Sequence, residues 1–184
     1  MRTEQELARL CTAGDREAQG ELYAQYASRL YALCYRYVAD REEAQDLMHD
    51  AMIKAMDSFR YFSYTCDGSL YAWLRRLTVN VVIDRLRQMS KLRLVPLDQT
   101  IEPGITDTDD NAADDIPAQV LMDLVASLPS VRRTVFNMYC IDGFSHKDIA
   151  AAIGITEKGS ASVLAKARAQ LKSQVNDYLK RTGR

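Results

Sequence analysis

The sequence predicts an all-α protein built as two small helical domains, and three observations carry that prediction. Apolar residues recur every three or four positions through most of the chain, and capping residues punctuate the pattern. No stretch shows the two-residue alternation of a half-buried strand. Residues 96–117 (PLDQTIEPGITDTDDNAADDIP) interrupt the helical pattern once, with three of the chain's four prolines and a run of acids. The domains are therefore expected at 1–95 and 118–184, joined by an acidic flexible linker over 96–117.

Taken in order, Thr3 to Glu6 fits a capping box and Gly14 is placed to end a short first helix. Asp15 opens a long second helix with Leu22, Tyr26, Leu30, Leu33 and Tyr37 on one stripe. Asp40 and Glu43 begin a third, with Ala44, Leu47, Met48, Ala51, Met52 and Ala55 facing inward. The aromatic and polar segment 60–68 has no clear period, and Ser69 is positioned to cap a fourth helix with Leu70, Trp73, Leu74, Leu77 and Val81 in register. After the interruption, Pro117 precedes a helix bearing Val120, Leu121, Leu124, Val125 and Leu128. Pro129 precedes another with Val131, Val135, Phe136 and Tyr139, which Gly143 ends.

Charge alone decides little. The formal net charge of −1 hides a partition. Residues 1–97 hold 14 basic and 13 acidic side chains, and residues 98–117 hold seven acidic and no basic ones. Residues 118–184 hold 10 basic and five acidic ones. Two segments able to approach phosphates flank an acidic middle, which also reads as an ordinary solvated linker.

Several classes fall away. No apolar run approaches the roughly 20 residues of a membrane-spanning helix, and the polar start is not a signal peptide. Cys11, Cys34, Cys66 and Cys140 are scattered, as reduced thiols in a cytoplasmic protein would be, with no disulfide frame or zinc spacing. His49 and His146 lie far apart, and neither a phosphate-binding glycine loop nor a nucleophile motif is present. Nothing calls for a catalytic residue, metal, cofactor or small-molecule substrate.

The sharpest local signal spans 145–172. Ser145 to Asp148 is a capping box before a short helix, and Gly154-Ile155-Thr156 makes a tight turn into a second helix. Small Ala150 and Ala151 allow close approach, while Ile149, Ile153, Ile155 and Leu164 supply a shared core. Two helices about such a turn are a helix-turn-helix, whose second helix enters the major groove. Lys158, Ser160, Ser162 and Lys166 then fall toward base edges or nearby phosphates, with Arg168 and Lys172 on the backbone. A plain helical hairpin with a solvated basic face fits the same spacing.

The segment beginning LPSVRRTVF at Leu128, with GFSHKDIAAAIGIT at 143–156 and KARAQL at 166–171, resembles region 4 of extracytoplasmic-function sigma factors. Independently, ELYAQYASRLYALCYRYVADREEAQDLMHDAMIKAM and SLYAWLRRLTVNVVIDRLRQ resemble that family's region 2. Both halves stand in the family's order and spacing.

The resemblance implies a subunit that binds core RNA polymerase and selects promoters. Region 2 would dock on the clamp helices of the largest subunit through a surface centred on Asp46, Leu47 and Asp50, weakening with salt. It would open the −10 element by holding unpaired bases on Tyr61, Phe62 and Tyr64, since aromatic faces stack any base. Asn80, Asp84 and Arg87, with Arg75 and Arg76, would read bases or track phosphates. Trp73 would be core. Region 4 would meet the polymerase flap and bind the −35 duplex. There the chain departs from the family pattern, with Gly159, Ala161, Val163 and Ala165 around the groove-facing positions. Readout would lean on Lys158, Ser160, Ser162 and Lys166, on thymine-methyl contact by Val163, and on Arg168 and Lys172. An anti-sigma factor is the implied regulator, and the acidic linker suits either a basic channel in polymerase or a simple tether. The rival reading is a helix-turn-helix regulator that binds an operator without polymerase.

Overall fold

The computed structural model describes residues 2–89 and 116–182, and every regular element among them is helical. The linker expected at 96–117 lies almost wholly outside the described residues. The chain divides into two compact units, Met1–Arg85 and Leu86–Arg184.

In the first unit, α1 (Glu4–Thr12) is capped by Thr3 Oγ1, which accepts from the Glu6 amide at 3.2 Å. α2 (Arg16–Val38) starts at Asp15, whose carboxylate accepts from the Ala18 amide, and α3 (Arg41–Ser58) starts likewise at Asp40. Between α2 and α3 the chain reverses through Ala39, a non-glycine residue at φ 55°. These two helices pack along the stripes predicted for them. Leu22, Tyr26, Leu30, Leu33 and Tyr37 of α2 are buried, as are Ala44, Leu47, Met48, Ala51, Met52 and Ala55 of α3. Each large apolar side chain so removed from water contributes about 1.5–3 kcal/mol before entropy is counted. α1 lies on α2 through Leu7, Ala8 and Cys11, and Arg2 ties the two together at 3.0 Å from Glu17 and 2.8 Å from Glu21.

α4 (Ser69–Gln88) corrects the predicted register. Its buried residues are Leu70, Leu74, Thr78, Val79, Val82, Ile83 and Leu86, whereas Leu77 and Val81 are only half-buried. Ser69 is the first helical residue and not the cap.

The second unit holds α5 (Ala118–Ala126), α6 (Ser130–Phe136), α7 (His146–Ile153) and α8 (Glu157–Thr182). α6 widens into a π-helical turn at Asn137–Ile141. α8 has 26 residues and so runs about 39 Å. α5, α6 and α7 all pack on α8, over a core of Val125, Leu128, Val135, Met138, Ile149, Ile153, Leu164 and Ala167. Ala150 is buried as expected, but Ala151 is exposed and takes no part in the close approach.

The thiols divide by burial. Cys11 is pushed up to about 11, chiefly by burial and then by the Asp15 charge, and burial pushes Cys34 up to about 12. Cys66 and Cys140 are exposed. Because the thiolate is the reactive form, an aromatic disulfide reagent at pH 8 should modify Cys66 and Cys140 in the native protein. Cys11 and Cys34 should follow only with unfolding, and prompt reaction of all four would contradict this packing.

Candidate nucleic-acid interface

The aromatic segment after α3 splits into different roles. Phe59 opens a 3-10 turn (Phe59–Tyr61) and is buried, with its ring 5.1 Å from Trp73 and 6.2 Å from Phe62. Phe62 also lies 5.1 Å from Trp73, so it is half given over to this cluster. Tyr61 points outward, 72% exposed, with Arg60 at 4.7 Å from its ring centre. The Tyr64 hydroxyl donates to Asp67 at 2.7 Å, and that carboxylate holds the phenol in its protonated form, pushed up to about 12. Trp73 itself is half-buried rather than enclosed.

What closes this segment was not foreseen. Glu4, far away in α1, accepts from the Gly68 amide at 2.8 Å and the Leu70 amide at 2.7 Å. Its carboxylate thus takes the place of a local cap at the positive end of α4. Gly68, at φ 90°, makes the turn that presents those amides.

Beyond that cap, α4 exposes Arg76, Asn80 and Asp84 at four-residue spacing, with Arg87 one turn further and also exposed. Arg75 is half-buried beside this ridge. On α3, Asp46 and Asp50 are exposed but Leu47 is 2% exposed. Leu47 therefore belongs largely to the core, on the same stripe as Ala44 and Ala51, and reaches the surface only at the floor of a recess. A shallow recess joins Glu43, Asp46, His49 and Asp50 to Arg85 of α4. His49 Nε2 and the Tyr23 hydroxyl of α2 are hydrogen-bonded at 3.0 Å. Neither residue carries a sequence motif, and only the packing of α2 on α3 brings them to this face.

The second unit contains the expected helix-turn-helix. Ser145 and Asp148 form a reciprocal capping box, Gly154 closes α7 at φ 74°, and Thr156 Oγ1 accepts from the Gly159 amide at 2.9 Å. Two expected contacts are corrected. Ser160 is fully buried and hydrogen-bonded to His146 Nδ1 at 2.9 Å, so it braces α8 against α7. Val163 is buried too, on the inner face with Leu164 and Ala167. Helical period then places Lys158, Ala161, Ala165, Arg168 and Lys172 on one exposed ridge, with Ser162 and Lys166 half-exposed beside it. Two alanines sit at the centre of that ridge. Arg132 steadies the helix behind it, donating to Gln170 Oε1 at 2.7 Å.

A family model described as "Sigma-70 region 2" matches residues 22–91, and one described as "Sigma-70, region 4" matches residues 118–171. The ECF RNA polymerase sigma factor SigM of Mycobacterium tuberculosis is 30% identical over 173 residues, covering 92% of this chain and 83% of that protein. The chain belongs to the ECF sigma factors. SigW of Bacillus subtilis is 25% identical to this sigma factor, covering 89% of it and 92% of the relative. The ECF sigma-E factor of Escherichia coli is 26% identical, covering 97% of each. Among solved structures, that of CnrH in complex with the cytosolic domain of CnrY matches with TM-score 0.51 and 22% identity, over 95% of this chain and 97% of that one. The sigma factor RpoE in complex with the anti-sigma factor NepR, from Bartonella quintana, matches with TM-score 0.52 and 19% identity, over 85% and 96%. These two show a shared fold. As an ECF sigma factor the chain directs promoter-specific transcription initiation with core RNA polymerase, and the region 2 match disfavours a regulator that acts without polymerase.

Proposed function

We propose that this sigma factor reads its promoter through two exposed ridges, one along α4 and one along α8. In the first, Tyr61 stacks an unpaired −10 base, with Phe62 and Tyr64 shaping the loop around it. Each base stacked on an aromatic face is worth about 1–3 kcal/mol. Arg76, Asn80, Asp84 and Arg87 along α4, with Arg75 beside them, follow the same strand. In the second, the α8 ridge enters the −35 major groove. Lys158, Lys166, Arg168 and Lys172 meet phosphates, Ser162 reaches a base or phosphate, and Ala161 and Ala165 give apolar contact to thymine methyls. The observation that carries this reading is the outward run of Lys158, Arg168 and Lys172 on the second helix of a closed helix-turn-helix.

Asp46 and Asp50, with His49 in the same recess and Tyr23 hydrogen-bonded to it, form the surface offered to the clamp helices of polymerase, and region 4 meets the flap. Domain limits of 1–95 and 118–184 with an acidic tether between them fit both ridges reaching separated promoter elements. An anti-sigma factor of the kind bound to Bartonella quintana RpoE is the expected regulator. The chain works in the cytoplasm on this reading and contributes no catalytic chemistry of its own. No helix among the described residues is long and apolar enough to cross a membrane.

Run-off transcription with purified bacterial core polymerase, this chain and a library of promoter fragments tests the proposal. Start sites that appear only with the chain present, and that share two separated motifs, are the expected result. A core enzyme that neither binds the chain nor gains specific starts would refute it.

A further inference from the structure

We infer that Glu4 is a positioning residue for capture of the −10 strand, an inference that rests on the promoter reading above. A helix leaves its first four amides without internal partners, and α4 carries no acidic residue in its first turn. Neighbouring side chains are already engaged. Asp67 accepts from Tyr64, and Ser69 Oγ accepts from the Thr65 amide at 3.4 Å while facing Glu4 Oε1 at 3.5 Å. Glu4 alone reaches across from another helix, with one oxygen on the Gly68 amide and the other on the Leu70 amide.

Those amides flank the point where the segment holding Tyr61, Phe62 and Tyr64 joins the helix bearing Asn80. The clasp therefore fixes the loop and the ridge relative to each other. Its own support is firm. α1 packs on α2 and on the Phe59–Tyr61 turn with Leu7, Ala8 and Cys11 buried, and Thr3 rather than Glu4 caps α1. The carboxylate also occupies the positive end of α4, where a nucleic-acid phosphate would otherwise settle without regard to sequence. Glu4 thus aligns the loop for one strand geometry and denies the helix end to nonspecific phosphate.

The test uses holoenzyme assembled with core polymerase. The ratio of affinities is measured for single-stranded oligonucleotides carrying either the −10 sequence recovered by run-off transcription or its scrambled form. All binding is done well below each variant's melting midpoint. Glu4→Ala should lower the ratio by about tenfold and Glu4→Gln, which keeps one acceptor oxygen, by about threefold. Core affinity should not change. Arg2→Ala, which removes only the surface ion pairs and leaves the clasp and the buried face of α1 in place, should leave the ratio as it is. A wild-type ratio retained by Glu4→Ala, or lost equally in Arg2→Ala, would overturn the inference. A wild-type holoenzyme without any preference would instead overturn the promoter reading beneath it.

Discussion

Phe59→Ala should cost the first unit about 3–5 kcal/mol, the range for removing a buried phenylalanine. The ring is 1% exposed and touches both Phe62 and Trp73, and its turn packs against α1 and α3. The cavity left behind opens beneath the base-capture loop and the support of α4 together. For a unit of this size the melting midpoint should fall by at least about 12 °C. Trp73 is the only tryptophan, so its emission reports this cluster directly and should shift to the red. Transcription should fail even on promoter fragments with the −10 segment already unpaired, because the surface proposed to hold the strand is lost. A loss of stability under about 1 kcal/mol would show that the cluster does not organise the unit.

Ala167→Asp should be comparably severe in the second unit. Ala167 is fully buried on α8, the helix on which α5, α6 and α7 all rest. A carboxylate there has no partner and no room, and an uncompensated buried charge costs several kcal/mol. Helicity by circular dichroism should drop, and binding to a −35 duplex should vanish. Ala165→Asp separates folding from recognition. Ala165 is exposed on the same helix, so this variant should keep native helicity yet bind the duplex far more weakly, since its new charge faces the phosphates. Equal melting of the two variants would mean the inner and outer faces of α8 are misassigned.

Helices with a single apolar stripe were readable from sequence, as α2 and α3 demonstrate. In each, the polar residues between the stripes leave one choice of phase. α4 offers two, since Leu77 and Val81 compete with Val82, Ile83 and Leu86, and tertiary packing decides for the latter three. The register of α8 failed for a related reason. Beside Leu164 its inner face is made of Gly159, Ser160, Val163 and Ala167, small enough to look like an outer face, and Ser160 passes for a groove contact until His146 is seen to bind it. The helix-turn-helix itself was plain because its caps and turn are local. Glu4 on Gly68 was invisible because its meaning lies 64 residues away. The Tyr23–His49 pair was hidden in the same way.

That clasp also sets an order of events during synthesis. Glu4 leaves the ribosome 64 residues ahead of Gly68, an interval of about 3–13 s at ordinary elongation rates. Through it α1 can rest on α2 and on the Phe59–Tyr61 turn, both of which precede Gly68 in the chain. The aromatic loop is sealed only when α4 arrives. A nascent chain stalled before Gly68 therefore has its first helices paired and the Tyr61 loop still without its Glu4 clasp, so that loop is closed only late in translation.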